Sequence, residues 1–361
     1  MLTIGAPASL YPSADPLDDV RWADANEDVA AVWFIDHLQG WAPRGVETGT
    51  IEDPHRLLDP FSLIAAAASQ TSRVPIGVSV TDPLRRSPIA LLQAALTIGW
   101  LGGRPMLLGL GTGVHENQAP YGLERGGPAR YLRAACETIS TLRADADVHG
   151  GGLDPWPRDG AVMGLSAVSE LRLWVAAHQP RALETAARYG DGWLPSSLSP
   201  GTYTEKLSTV RTLAERFGRD PGAIRAAMFT WAVLADSREE SERLLEEPLV
   251  RAAALYRGHR AFARHGAVHP LGDDDPPRYL PTHIEPERAR AVIEQIPATL
   301  VADSVLTGSL DDVQERLAGY ETAGLEHLIV YDIGRYIGAE GVARSRECLA
   351  RLAHGRAGSV M

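Results

Sequence analysis

The sequence predicts an α/β fold that closes as a (β/α)8 barrel, and three observations support this. Short apolar runs, typical of strands buried on both faces, alternate eight times with segments of helical periodicity. Several of these runs end abruptly in polar side chains, as strands do where they leave a parallel sheet. The 361 residues are 45% hydrophobic, which is enough to bury a large core. An open, doubly wound sheet is the competing architecture.

The eight predicted strands are short and rich in branched aliphatic residues. They cover residues 2–6, 32–41, 74–80, 105–111, 171–177, 192–195, 224–234 and 327–332. The second run is the most informative, because its apolar part ends in an acid, an imidazole and, four residues later, an indole. We expect its polar end to lie where the strand leaves the sheet.

Helical patterns separate these strands. The predicted helices cover residues 16–29, 61–72, 88–101, 131–143, 180–189 and 203–217, followed by two helices that begin after residues 237 and 309 and a closing helix. Asp15 is the predicted N-cap of the first helix, with Pro16 at its first position. Capping-box patterns begin at Ser237 and Ser309, and Gly324 is expected to end the helix that Ser309 starts.

Three segments interrupt the alternation. Residues 42–60 contain glycine, proline and acids without a periodic apolar pattern, and residues 145–164 include a glycine triplet, so both are predicted loops. Residues 250–285 are predicted to be a lid-like insertion between strands seven and eight. The prediction is therefore one domain over residues 1–361 that carries this insertion.

Composition excludes several classes of partner. The chain has 46 acidic and 35 basic residues and a net charge of −11, which disfavours nucleic acid and anionic lipid. No apolar segment is long enough to cross a bilayer, and the N-terminus lacks a signal-peptide pattern, so a cytoplasmic location is expected. Cys136 and Cys348 are expected to be reduced core residues. Lys206 is the only lysine, and such arginine usage is associated with the GC-rich genomes of actinomycete-like organisms.

A metal site is not predicted. His259, His265 and His269 are close in sequence, but Gly266 interrupts them and no carboxylate partner accompanies them. The acids at residues 273–275 lack the spaced pattern of a calcium loop.

Polar residues collect at the predicted carboxyl ends of four strands. They are Asp36, His37 and Trp41 after the second strand, Ser79, Thr81 and Asp82 at the third, Thr112, His115, Glu116 and Asn117 after the fourth, and His178 and Gln179 after the fifth. Glycines at 109, 111 and 113 allow the backbone to approach a ligand, although a tight turn alone would explain them. Residues 176–179 precede a helix N-terminus, which suits a phosphate.

Four motifs at these places resemble the bacterial luciferase-like superfamily in order and spacing. They are Phe-Ile-Asp-His-Leu-Gln-Gly-Trp at 34–41, Gly-Val-Ser-Val-Thr at 77–81, Gly-Thr-Gly at 111–113 with Pro-Tyr-Gly at 120–122, and Trp-Val-Ala-Ala-His at 174–178. Within the superfamily they are most similar to enzymes that use the deazaflavin coenzyme F420. These enzymes are the F420-dependent glucose-6-phosphate dehydrogenases and, more closely, the phthiodiolone ketoreductases. The second likeness extends to residues 263–270 and 307–308, and so to nearly the whole chain.

The resemblance implies a role for each matched residue. Asp36 would bind the ring region of the deazaflavin, and His37 and Trp41 would face the substrate. Ser79 and Val80 would form a bulge behind the ring through a non-prolyl cis peptide bond. The remaining contacts would be Gly111, Thr112, Gly113 and Asn117 along the polyol side and Ala176, Ala177, His178 and Gln179 around the phosphate. The resemblance also implies a homodimer.

The chain departs from the F420-dependent pattern at two positions. Many of these enzymes place a proton-donating acid directly after the Gly-x-Gly, where this chain has Val114. The main candidate for proton transfer is therefore His37, because imidazole titrates near neutral pH, with Glu116 and His115 as alternatives. The sugar-phosphate enzymes have a lysine after strand six where this chain has Ser196, Ser197 and Leu198, so a less charged substrate is expected.

These observations favour an F420-dependent oxidoreductase of specialised metabolism that transfers a hydride between reduced F420 and a carbonyl, imine or activated alkene. The first alternative is an FMN-dependent monooxygenase of the same superfamily that is supplied by a separate flavin reductase. A barrel glycosidase with Asp36 and Glu116 as its carboxylate pair is the second. The third is a protein that binds F420 without turnover.

Overall fold

The computed structural model describes residues 1–124, 126–144, 156, 160–272, 278 and 280–357. The strands in these residues are β1 (Thr3–Pro7), β2 (Val29–Phe34), β3 (Ile76–Thr81), β4 (Met106–Leu110), β5 (Leu171–Val175), β6 (Gly192–Trp193), β7 (Arg225–Leu234), β8 (Leu306–Gly308) and β9 (His327–Asp332). All neighbouring pairs are parallel. Pairing of β1 with β9 and of β6 with β7 closes an eight-stranded ring. The predicted (β/α)8 barrel is confirmed.

The strand β8 lies outside the ring and was not predicted from the sequence. It pairs only with the last three residues of β7, at positions 232–234, while the earlier part of β7 pairs with β6 and β9. A strand of three residues is too short to show an apolar alternation, and for this reason the sequence pattern did not reveal it.

The helices surround the ring. They are α1 (Asp18–Ala25), α2 (Pro60–Ala68), α3 (Pro88–Gly102), α4 (His115–Gln118), α5 (Pro128–Ala144), α6 (Pro180–Tyr189), α7 (Pro200–Arg216), α8 (Arg238–Leu245), α9 (Pro248–Ala252), α10 (His259–Arg264), α11 (Pro286–Glu294), α12 (Ala298–Ser304), α13 (Leu310–Thr322) and α14 (Gly341–Ala357). The part of residues 250–285 that the structure describes contains the end of α9, all of α10 and short 3₁₀ turns. The predicted loop at 42–60 contains no helix before α2 and no strand.

The predicted bounds of the first helix were wrong at both ends. Asp15 is not the N-cap, because its carboxylate accepts a hydrogen bond from the Leu17 N–H at 3.3 Å in a turn that precedes the helix. The helix ends four residues early, since Asn26 forms a turn in which its side-chain oxygen accepts from Asp28 N–H at 3.2 Å. That turn lets the chain enter β2 at Val29.

The two capping-box patterns differ in the structure. The box that Ser309 begins is complete, and Gly324, with φ of +90°, follows the end of α13 as expected. At α8 the Ser237 hydroxyl accepts from the Glu240 N–H at 3.1 Å, but the Glu240 carboxylate accepts from Asp236 N–H instead of closing the box.

The ring interior is filled by a compact aromatic cluster below the carboxyl ends of the strands. Trp33 packs edge-on against Trp174 with 5.3 Å between ring centroids, and its indole N–H donates to Nε2 of His327 at 3.0 Å. Gly5 and Gly77 make room for Trp33, because a Cβ at either position would lie 2.7 Å from the indole. The interior is therefore solid, and a ligand site has to lie above it.

Other sequence predictions have these outcomes. Cys136 and Cys348 are both buried and free. Residues 145–155, 157–159 and 273–277, which belong to the predicted loop and insertion, lie outside the described residues. In the described ranges, no helix is both long and apolar enough to cross a membrane.

Candidate active site

A cavity of about 610 Å³ opens at the carboxyl ends of the ring strands. All but two of the residues to which the resemblance assigns a role line it, and so does Glu116, whereas the alternative proton donor His115 does not. Those on its wall are Asp36, His37, Trp41, Ser79, Val80, Gly111, Thr112, Gly113, Glu116, Ala176, His178 and Gln179. The other two are Asn117 and Ala177, which are buried behind the wall. The fold thus gathers residues from four separate sequence motifs into one chamber.

The end of β3 forms one wall of the cavity. The Ser79–Val80 peptide bond is cis, as the resemblance implied, and the register between β3 and β4 shifts at this place. Gly109 accommodates the shift, because a Cβ there would lie 2.2 Å from the Val78 carbonyl oxygen. The Ser79 hydroxyl is buried and has no hydrogen-bond partner in the part of the chain that the structure describes.

The glycine-rich turn after β4 has a packing requirement of its own. Gly113 has φ of +80°, and a Cβ at this position would lie 1.9 Å from Nε2 of Gln118. The Gln118 amide is held there because it donates to the Thr112 carbonyl at 3.0 Å. A Cβ at Gly111 would lie 2.8 Å from a methyl group of Val80, so the absence of side chains keeps this wall of the cavity open.

Asp36 is part of a buried ion-pair cluster. Its carboxylate accepts hydrogen bonds from Arg85 and, at 2.9 Å, from Nε of Arg86, and Arg85 also donates to the Asp36 carbonyl at 2.5 Å. Burial alone would raise the pKa of Asp36, but the two arginines outweigh it and hold the pKa below its usual value. Both carboxylate oxygens are therefore already paired, and Arg85 itself lines the cavity.

His37 is held from behind by Asn117. The side-chain nitrogen of Asn117 lies 2.9 Å from Nδ1 of His37, and the side-chain oxygen of Asn117 accepts a hydrogen bond from the Leu38 N–H at 2.6 Å. Burial lowers the pKa of His37, the nearby Glu116 carboxylate raises it, Arg85 lowers it again, and the net shift is downward. Asn117 was expected at the polyol side of the cofactor, but its amide is engaged by His37 and the backbone instead.

An aromatic group with one carboxylate closes another side. Trp41 is buried edge-on against Trp231, with 4.4 Å between ring centroids. Tyr256, from the predicted lid-like segment, donates to Oε1 of Glu116 at 2.6 Å and lies 6.0 Å from Trp231 between ring centroids. The carboxylate of Glu116 is thus fixed at the wall, whereas His115 is turned toward Glu124 on the rim at 3.3 Å.

The side formed by β5 and β6 is less charged. Nε2 of His178 accepts from the Ser196 N–H at 3.1 Å, and burial together with Lys206 lowers the pKa of His178. The single lysine donates to the His178 carbonyl at 2.6 Å. Helix α6 begins at Pro180 without a side-chain cap, and the N–H groups of Ala182 and Leu183 donate to the Gln179 carbonyl, so the Arg181 N–H is the one in the first turn that has no partner among the described residues. Ala177 points into the core instead.

Sequence reasoning missed several wall residues. Arg85, Tyr256 and Trp231 line the cavity, yet each comes from a segment in which the sequence pattern showed no motif. Arg257 is also on the wall, and its guanidinium has no ion pair or hydrogen bond among the described residues. Asp303 is the acid whose charge acts on the pKa of Arg257, but its carboxylate is paired with Nε2 of His265 at 3.1 Å.

Proteins of known sequence and structure share this architecture. The family described as luciferase-like monooxygenase matches residues 3–327. A phthiodiolone/phenolphthiodiolone dimycocerosates ketoreductase of Mycobacterium kansasii is 30% identical over 313 residues, which cover 82% of this chain and 85% of the relative. An F420-dependent glucose-6-phosphate dehydrogenase of Beutenbergia cavernae is 29% identical over 360 residues, with 92% of each chain covered.

Two solved structures share the fold at low sequence identity. An F420-dependent secondary alcohol dehydrogenase in complex with an F420-acetone adduct superposes with a TM-score of 0.73 at 18% identity, covering 96% of this chain and 97% of the other. The monooxygenase RslO1 from Streptomyces bottropensis gives 0.67 at 17% identity, covering 98% and 99%. The predicted resemblance and the prediction of an enzyme are confirmed by the relatives. The chain belongs to the luciferase-like monooxygenase family.

Proposed function

We propose that the protein is an F420-dependent oxidoreductase that transfers a hydride between reduced F420 and a carbonyl, imine or activated alkene of an organic substrate. One observation carries the proposal. A single cavity joins a glycine-lined slot, bordered by the unpartnered Ser79 hydroxyl, to the imidazole of His37 and the indole of Trp41.

The residues present fit the cofactor. A cavity of about 610 Å³ is within the range of small-molecule sites. Ser79 borders the slot with a buried hydroxyl that has no partner among the described residues, and Gly111 leaves the slot without a side chain at this place. Gln179 and the Arg181 N–H in the first turn of α6 would hold the phosphate, because the positive end of the helix dipole attracts anions. Asp36 would act through Arg85 and Arg86, which it holds in place.

When bound, reduced F420 supplies a hydride in a two-electron step. The chain then has to manage the proton at the substrate atom that gains negative charge. His37 and Glu116 both border the cavity, and Val114 offers no acid at the position used by related enzymes. Trp41 covers this region and keeps water away from it.

The three alternative functions require different side chains or cofactors in the cavity. The glycosidase hypothesis needs two free carboxylates, but that of Asp36 is held by two arginines and that of Glu116 by Tyr256. The FMN-dependent monooxygenase remains the second candidate, because the monooxygenase RslO1 shares the fold. A protein that binds F420 without turnover is the third.

Binding and oxygen consumption separate the two redox candidates. We expect purified protein to quench the fluorescence of added F420 on binding and to consume no oxygen with reduced F420. Reduced FMN should bind weakly. Rapid oxygen consumption with reduced FMN, together with no F420 binding, would reverse this order.

Arg257 supports a refinement of the substrate class. The guanidinium of Arg257 is partly buried and has no partner among the described residues, so it is available for a hydrogen-bond acceptor or a single negative charge on the substrate. Replacing Arg257 with Met should raise KM for such substrates about tenfold and leave neutral analogues unaffected. An equal rise in KM for charged and for neutral substrates would rule out this role of Arg257.

Further expectations on architecture, assembly, location and metabolic role accompany the proposal. The chain forms a single domain over residues 1–361. The segment at 250–285 acts as a lid on the cavity, and the hydrogen bond from Tyr256 to Glu116 attaches this segment to the cavity wall. The protein works as a homodimer in the cytoplasm of an actinomycete-like organism. Its reaction belongs to specialised metabolism.

A further inference from the structure

Asn117 is fully buried on the short helix α4, directly after Glu116, and makes three hydrogen bonds. Its side-chain oxygen accepts from the Leu38 N–H at 2.6 Å and from the Gln39 N–H at 3.3 Å. Its side-chain nitrogen lies 2.9 Å from Nδ1 of His37. These contacts join α4 to the loop after β2, which lies about 80 residues earlier in the chain.

The two backbone contacts determine which end of the amide faces His37. An N–H group can only donate, so the atom that both backbone groups approach has to be the Asn117 oxygen. The atom beside Nδ1 is then the amide nitrogen, which is itself only a donor. Nδ1 of His37 therefore accepts a hydrogen bond and carries no proton, and the proton of the neutral ring is on Nε2.

This contact fixes the orientation of the ring as well as its tautomer. Nδ1 faces Asn117 behind the wall, so the opposite edge of the ring, with Nε2, is the edge that can reach the cavity. The charged groups that act on the ring are Glu116 on α4, Asp36 beside it and Arg85 from the loop after β3. Tyr256 holds the carboxylate of Glu116, and Arg85 neutralises that of Asp36.

We propose that Asn117 is a positioning residue that holds His37 as the neutral Nε2–H tautomer, so that the cavity receives a hydrogen-bond donor aimed at the substrate. The donor then stabilises the substrate atom on which negative charge develops. This catalytic consequence rests on the proposed function, whereas the tautomer itself does not. Asn117 thereby has a different task from the cofactor contact that the resemblance implied.

The experiment is nitrogen-15 NMR of the imidazole rings in the protein without added cofactor. Nitrogen shifts distinguish a protonated ring nitrogen from an unprotonated one, and the His37→Gln variant assigns the His37 signals by their loss. We expect Nδ1 of His37 to be unprotonated and Nε2 to be protonated at pH 7. A proton on Nδ1 would overturn the proposal.

Asn117→Asp tests the link between the two residues without removing the acceptor that Leu38 and Gln39 use. The second carboxylate oxygen should draw a proton to Nδ1 and raise the pKa of His37 by about one unit or more. Asn26→Asp makes the same change in charge in the turn after α1 and should leave the His37 signals unchanged. Unchanged His37 signals in Asn117→Asp would refute the proposal.

Kinetics and binding then separate this proposal from the proposed function. In Asn117→Asp the pH profile of kcat/KM should shift with the pKa of His37, while the Kd for F420 changes less than about threefold. Weakened F420 binding with unaltered His37 signals would make Asn117 a cofactor contact instead. If wild-type protein fails to bind F420, the proposed function falls, and the NMR result still decides the tautomer.

Discussion

At the scale of single residues, His37 is the side chain on which the proposed chemistry depends most. It borders the cavity beside Trp41, and its ring is fixed by Asn117. His37→Ala should lower kcat about a hundredfold or more, because a positioned acid–base group contributes that much, with little change in the Kd for F420. Stopped-flow kinetics and fluorescence titration measure the two quantities. Equal losses in both would mean that His37 is structural.

Asp36 has a structural task that its motif did not reveal. Its side chain is 1% exposed and that of Arg85 4%, so removing the carboxylate leaves the buried Arg85 with only the backbone carbonyl of residue 36 and, at 3.9 Å, the carboxylate of Asp82. Asp36→Ala should lower the free energy of unfolding by about 3–5 kcal/mol and weaken F420 binding as the arginines move. Denaturant titration measures the first effect. Asp236→Ala, which breaks the exposed pair with Arg351, is the control and should cost far less. Similar losses in the two variants would contradict this account of the cluster.

Residue-level prediction from the sequence succeeded where chemistry was concentrated in local motifs. Asp36, His37 and Trp41 stand within six residues, and the strand end that exposes them is visible as a change from apolar to polar. The partners were not visible, because Arg85 meets Asp36 across 49 residues and Tyr256 meets Glu116 across 140. Such contacts between residues far apart in the chain cannot be predicted from one sequence, because the closed barrel is what brings the residues together.

At the scale of elements, the turn after β4 shows why glycine is needed. A Cβ at Gly113 would lie 1.9 Å from Gln118, whose amide is tied to Thr112, and φ is +80°. Gly113→Ala should destabilise the protein by about 2 kcal/mol or more and also weaken cofactor binding. Gly103→Ala, at the end of α3, has φ of +62° but open space around it, so it should cost only about 1 kcal/mol. Thermal unfolding compares the two variants, and equal costs would exclude the packing requirement.

Element bounds were predictable only where the local signal was strong. The ring strands are continuous apolar runs, and α6, which begins at Pro180, was predicted to the residue. By contrast, α1 was extended into the turn before β2, and β8 has too few residues to form a pattern. The position of β8 depends on the length of β7, which is a tertiary property.

At the scale of the whole molecule, the ring interior links stability to pH. Burial, together with the charge of Arg225, lowers the pKa of His327 to about 3, and the neutral ring accepts a hydrogen bond from the Trp33 indole N–H. The unfolded chain binds this proton near pH 6.5, so stability is fully present above that pH and is lost as the pH falls toward 3. His327 alone should contribute a slope of about 1.4 kcal/mol per pH unit over this range.

The His327→Gln variant isolates this contribution. Its unfolding free energy should be lower at pH 7 than that of wild type, but it should fall less steeply between pH 6.5 and 4. His354→Gln, in which an exposed histidine is replaced, should follow the wild-type curve. Urea titrations over the pH range give both slopes. Parallel curves for wild type and His327→Gln would show that His327 does not titrate in this way.

The central claim concerns the whole molecule, since the cavity is lined by residues from seven of the eight ring strands or from the segments that follow them. The most direct test is anaerobic single turnover of bound reduced F420 with a panel of ketones, imines and activated alkenes, followed by the recovery of F420 absorbance. The account predicts that at least one class oxidises the bound cofactor in wild type and that His37→Ala slows this step about a hundredfold or more. No oxidation by any acceptor, together with oxygen-dependent turnover of reduced FMN, would contradict it.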